Sequence, residues 1–309
     1  MAVATRTLPP QPRGATGASA TWRSFTTAVR LGWVVEANWT DPFLFFIYSV
    51  AKPVASALIL VFMVDVISGG RADANAKAFV VIGTALWSFV TVGIAGLAQS
   101  LLEDRERYRM LKYLYVSPNQ FLVLTLGRGT ARIGIAVFAA LITLGFGIIF
   151  LGVPFNVGRV DWLLLVLSSV LGLVGVLSLA LLLAATIMQT RQDAWSYPEA
   201  VAGGLFLMVG AVFPMAVLPP VVQIVGLITP LSWWLEGTRQ ALFPGVATAI
   251  GGQGSVWLSW TGTLAPTPTQ IVAMLAVTTV LFAVIGLYAF KRSEQRARQK
   301  GLLDLLSGS

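Results

Sequence analysis

EDRERYRMLKYLYVSP, residues 103–118, is the one dense block of charge lying between two long apolar segments. Glu103, Asp104, Arg105, Glu106, Arg107, Arg109 and Lys112 fall within it. A charge at the hydrocarbon centre of a bilayer costs about 2.5–3.5 kcal/mol or more. The block therefore belongs in water on one side of a membrane, as a surface that another protein can grip. Tyr108, Leu111 and Tyr115 share one helical face, with Met110 and Leu114 beside them, a stripe that a solvated loop does not need. The block closes with Ser117-Pro118-Asn119-Gln120: a cap residue, a proline at the first helical position and Gln at the third, which mark a helix start. Residues 103–115 are thus expected to form a short helix, turned sharply at Ser117 into the following span.

Composition agrees with a membrane setting. The chain has 309 residues, 56% apolar and 11% charged, against roughly 25% charged in soluble domains. Several apolar runs reach the ~20 residues that cross a bilayer. Six spans are expected, near 43–64, 78–102, 133–151, 162–187, 199–218 and 270–290. The fold class is all-α and integral to the membrane. With the amino terminus inside, sixteen Lys and Arg lie on the inner side and Arg71, Lys77, Arg159 and Arg239 on the outer. That bias places both termini and the 103–118 block in the cytoplasm of a multi-pass protein of the cell membrane. The net charge of +8 then faces the anionic lipids of the inner leaflet rather than a nucleic acid.

The first twenty residues are rich in Pro, Gly, Ala and Thr and read as a disordered tail; residues 295–309 read as a cytoplasmic tail at the other end. Residues 21–39 place Trp22, Phe25, Val29 and Trp33 at steps of three and four, with Arg23 and Arg30 elsewhere around the helix. This is an amphipathic helix suited to the membrane interface, broken by Asp41-Pro42. Residues 213–245 are apolar but interrupted by Pro214, Pro219, Pro220, Pro230 and Pro244. The pieces near 221–228 and 231–243 are too short to cross, and irregular backbone at that depth must be buried in protein or line a cavity. Two short helices dipping in from the outer side, joined at Thr229-Pro230, meet both demands. Glu236 and Arg239 fall within pairing distance on the second. Residues 240–290 hold no charge at all.

No G-x-x-x-x-G-K-[ST] loop is present, so the chain has no such route to ATP hydrolysis. It has no cysteine and no histidine, which excludes thiol nucleophiles, disulfides, His-based triads and the usual zinc sites. No catalytic residue and no metal ligand is expected. The one charge deep in a span is Lys52, beside Pro53. It either meets an anionic group on a substrate or snorkels to the surface on its long stem.

Taken together, these features resemble the permease subunit of ABC-2 type exporters. The resemblance covers residues 21–294. It rests on Asp41-Pro42 before the first span, the E-R-x-R-x-L-K-x-L-x-x-S-P run ending at Pro118, and P-L-S-W-W-L-E-G-T-R over 230–239. It implies that 103–118 is a coupling helix seated on a separate ABC ATPase, with Glu103, Asp104, Arg105, Glu106, Arg107, Tyr108, Arg109, Leu111 and Lys112 as contacts. It implies an elbow helix at 21–39 and an outer gate carrying Pro219, Pro220, Pro230, Trp233, Trp234, Glu236 and Arg239. ATP and Mg would sit on the partner, leaving no cofactor on this chain. A second permease, identical or paired, would complete the unit. One departure is Arg107-Tyr108-Arg109, where the family often has Glu followed by Gly-Thr. The span walls are aliphatic and aromatic, which favours a hydrophobic, lipid-linked or drug-like cargo moved outward. An ion-coupled carrier and a non-transporting scaffold are the alternatives.

Overall fold

In the computed structural model the apolar runs become helices. It describes residues 18–38, 51–71, 73–107, 121–190 and 196–299. The helices are α1 (Ala18–Asn38), α2 (Lys52–Ile67), α3 (Ala74–Leu102), α4 (Phe121–Phe150), α5 (Trp162–Ile187), α6 (Ser196–Met208), α7 (Pro220–Ile228), α8 (Pro230–Leu242), α9 (Val256–Thr261) and α10 (Pro268–Gln299). No strand occurs among the described residues. Four helical stretches are long and apolar enough to cross a membrane: Ala74–Arg107, Phe121–Phe150, Trp162–Ile187 and Pro268–Ala297. A shorter apolar helix covers Val54–Ile67.

α3 is the central post. Its apolar window is 83% buried, against 28% for those of α4 and α10. Lipid is as apolar as leucine, so burial alone does not draw such helices together; close packing at small residues does. Gly96 of α3 lies against the side chain of Arg132 on α4, and Gly129 of α4 against Leu97. α5 packs on both α3 and α10. α1 lies along α4, with its Ala28 and Gly32 buried there; Trp22, Arg23, Arg30 and Trp33 face outward.

The boundaries depart from the sequence-based expectation in two instructive places. The third span was expected from 133, on a helix expected to start near Ser117; α4 is helical from Phe121, the first described residue there, and its apolar length already takes in Arg128 and Arg132. The charges are tolerated because acidic partners meet them, as described below. The fifth expected span, 199–218, is helical only to Met208 in α6. The chain then turns at Gly210, whose φ of +73° suits glycine, and reaches a short 3-10 turn at Met215–Val217. Thirteen helical residues extend about 20 Å, short of the ~30 Å hydrocarbon layer. α5 matches its expected bounds, and α10 continues to Gln299, into the region read as a tail. Asp41-Pro42, the start of the first expected span and the tail before Ala18 lie outside the described residues.

Candidate functional site

At the end of α3 the backbone widens into a π-helical turn, Glu103–Arg107. The side chains of this turn reach two other helices, α4 and α5. Glu103 accepts a hydrogen bond from Arg132 Nη2 at 2.8 Å, while Nη1 of Arg132 donates to Gln99 Oε1 at 3.2 Å. Asp104 pairs with Arg128. Arg105 Nη1 donates to the carbonyls of Ile187 and Thr190, both at 3.3 Å, at the carboxyl end of α5. Ile187 ends α5 and Thr190 follows it by three residues, its N–H donating to the Ile187 carbonyl at 3.1 Å; the negative end of the helix dipole lies there, so a guanidinium suits the position. Nη2 of Arg105 meets Glu106 Oε1 at 2.8 Å.

Asp104 and Arg128 are 3% and 5% exposed, and Arg105 and Arg132 are also buried. Glu103 and Glu106 are half-buried, and Arg107 is exposed. Much of the charge read as a docking surface is therefore turned inward, holding the bundle together. Arg128 and Arg132 stand four residues apart on α4, one turn, so that adjacent acids on the π turn reach both. Ala28, Ser100, Asp104, Thr125 and Arg128 line a crevice of about 20 Å³ under α1, room for a single water. Ser293 Oγ donates to the Ala185 carbonyl and accepts from Gln189 Nε2, which fastens α10 to the same end of α5. Tyr108, Arg109, Leu111 and Lys112 lie outside the described residues.

The second cluster sits near the other end of α3. Gly83 of α3 lies against the Ala211 carbonyl and the Arg239 guanidinium, and twenty residues of helix from there to Glu103 span about 30 Å. The Pro-broken region forms the two short helices expected. Pro220 opens α7 after Pro219, and Pro230 opens α8 after Thr229; a missing N–H costs nothing at a first helical turn. Trp233 Nε1 donates to the Leu227 carbonyl at 2.8 Å and its ring meets Trp257 edge-on at 5.4 Å. Trp234 packs over Gly172 of α5, where any side chain would overlap the indole, and beside Phe89 of α3 at 5.0 Å.

Glu236 and Arg239 are 0% and 1% exposed, with Arg239 Nη1 3.7 Å from Glu236 Oε2. Glu236 also accepts from the Ala249 N–H and from Gln240 Nε2, each at 2.8 Å. Arg239 Nη2 donates to the Gly210 and Ala211 carbonyls at 3.3 Å, and its guanidinium lies 3.9 Å above the Phe79 ring centre. Gln223 of α7 accepts from the Val256 N–H at 2.7 Å and donates to the Leu218 carbonyl at 2.8 Å. Lys52 is exposed at the start of α2 and belongs to neither cluster.

Sequence reasoning placed the charged block and the Glu236–Arg239 spacing. It did not single out Arg128, Arg132, Gln99 or Gln223. The i, i+4 arginines at the head of an apolar helix were the available signal for the first two.

A family model described as ABC-2 type transporter matches residues 25–243, which include the Glu103–Arg132 and Asp104–Arg128 pairs and the Glu236–Arg239 pair. This chain belongs to the ABC-2 type transporter family. A search of curated proteins returns no match. The ABC-2 assignment makes the chain a multi-pass membrane permease, a transport subunit that is not itself catalytic, and permeases of this family generally work with an ABC ATPase.

Proposed function

We propose that this permease is the membrane part of an ATP-driven exporter that moves a hydrophobic, lipid-linked or drug-like cargo outward across the cytoplasmic membrane. A separate ATPase subunit, carrying ATP and Mg, docks on the coupling segment at 103–112. A second permease, a copy of this chain or a paired half, supplies the other wall of the path, and lipids surround both. The basic residues flanking the spans favour an inward-facing 103–118 block and two cytoplasmic termini. The observation that carries the reading is the π turn Glu103–Arg107, whose side chains run into α4 and α5 as well as continuing α3. A load on that turn has somewhere to go.

In this reading α7 and α8 form the outer gate. Trp234 in the Gly172 notch ties α8 to α5, so the gate opens with α5 and not as a loose flap. Closure of two ATPases and release after hydrolysis would then be a rigid-body switch between two packings. Lys52, exposed on α2, is the candidate contact for an anionic group on the cargo; unchanged export by Lys52→Gln of every cargo tested removes it from the path.

The test is reconstitution in lipid vesicles with and without an ABC ATPase subunit that co-purifies with this chain. Cargo movement that needs both subunits and ATP supports the exporter. Movement without the ATPase, driven by an ion gradient, identifies a secondary carrier; no movement with a bound, active ATPase identifies a scaffold.

A further inference from the structure

The buried arginines of α4 receive the acids of the π turn, and the reading above leaves open how firmly that contact ties the two helices. Arg128 and Arg132 sit in a helix apolar enough to cross a membrane, where each charge is costly unless matched. They are matched by consecutive acids of the π turn, Asp104 and Glu103. The packing beside these pairs is also closed to sliding. A side chain at Gly96 would meet the stem of Arg132 at 2.8 Å, and one at Gly129 would meet Leu97 at 2.7 Å. On the far side of α4, Gly32 of α1 lies against Ala131 and the Arg128 backbone. Shifting α3 along α4 would therefore separate two buried ion pairs and break a glycine-to-side-chain fit at once.

We propose that Arg128 and Arg132 are positioning residues that fuse α3 and α4 into one lever, so that a displacement of the coupling segment moves both helices together without slip. The inference rests on the exporter reading and deepens it by naming how the stroke leaves the coupling segment. Arg105 extends the same foot to α5 through two neutral carbonyl acceptors, a lighter attachment than the two ion pairs.

The chain has no native cysteine, which gives a direct test. A Cβ built on Gly129 lies 3.2 Å from the Leu97 Cβ, a few tenths of an ångström short of the ~3.5–4.5 Å found across a disulfide, a difference that a small outward shift of the two helices supplies. The pair Leu97→Cys/Gly129→Cys should therefore cross-link α3 to α4 on oxidation. Four proteins are compared in vesicles with the ATPase subunit bound: wild type, Arg132→Gln, the cysteine pair, and the cysteine pair with Arg132→Gln. Arg132→Gln is expected to keep the ATPase subunit and basal hydrolysis while cargo moved per ATP falls about tenfold. The oxidised cross-link alone should leave transport near wild type, and in the Arg132→Gln background it should restore the lost coupling.

A cross-link that stops transport on its own shows that α3 and α4 must slide, and overturns the proposal; so does Arg132→Gln coupling at the wild-type ratio. The cross-link arm retains every charge, so it decides the matter even where Arg132→Gln fails to insert. Loss of the ATPase subunit from Arg132→Gln would make the residue a docking determinant and also overturn the proposal. Absence of ATP-driven movement by the wild type is the separate signature of a failed exporter reading, and the lever falls with it.

Discussion

Two buried charge clusters sit near opposite ends of α3, and they are built on different principles. The Glu103 cluster joins separate helices by charge against charge: Glu103 to Arg132, Asp104 to Arg128. The Glu236 cluster keeps its one ion pair within α8 and at 3.7 Å, and besides Gln240 and the Phe79 ring it turns to backbone: the Ala249 N–H and the Gly210 and Ala211 carbonyls. The first is a joint between rods. The second pins irregular chain at a depth where an unpaired backbone group is costly. Charge pairs are interchangeable in sign, whereas a backbone N–H always donates and a carbonyl always accepts.

The largest stability loss should come from Glu236→Ala. It strands a fully buried Arg239 and the Ala249 N–H together, and removal of one partner from a buried pair costs about 3–5 kcal/mol. Thermal unfolding of the purified permease should register it as the steepest drop among single variants. Next comes Arg132→Glu, near the lower end of that range because Glu103 is half-buried. Here the comparison can be sharpened: Glu103→Arg combined with Arg132→Glu should regain part of the loss, while Glu236→Arg combined with Arg239→Glu should regain none. Equal rescue at both ends would break the distinction between the two clusters.

Gln223→Ala should cost less, about 1–3 kcal/mol, since it leaves the Val256 N–H unpaired where α7 meets the loop before α9. Faster proteolysis within 245–255 would accompany it. The smallest effect belongs to Lys77→Ala, which deletes the pair with Asp65 at 2.9 Å. Both side chains are about a third exposed, at 27% and 32%, and pairs of that kind contribute roughly 0.2–1 kcal/mol. A Lys77→Ala loss matching that of Glu236→Ala would contradict the whole ordering.

The short helices were legible because prolines fix where a helix can begin. Pro219-Pro220 and Thr229-Pro230 gave α7 and α8 almost to the residue, and α5 runs between an Asp cap and the next polar loop. Hydropathy misjudged the chain where a distant partner intervened. Arg128 and Arg132 look like the edge of a span until Glu103 and Asp104 are brought against them from twenty-odd residues upstream. The apolar stretch after Met208 looks like more helix, yet Gly210 turns it and Arg239 collects its carbonyls. Local spacing showed that Glu236 and Arg239 could pair; only the fold shows that Phe79, Ala211 and Ala249 enclose them.

The central claim is that the segment after α3 faces an ATPase on the cytoplasmic side. Arg107, exposed at the end of the π turn, offers the most direct test in a chain without cysteines. Arg107→Cys should resist a membrane-impermeant maleimide in intact cells, react after permeabilisation, and be shielded once the ATPase subunit is bound. Reaction from outside intact cells, or equal reaction with and without the bound ATPase, would contradict the account.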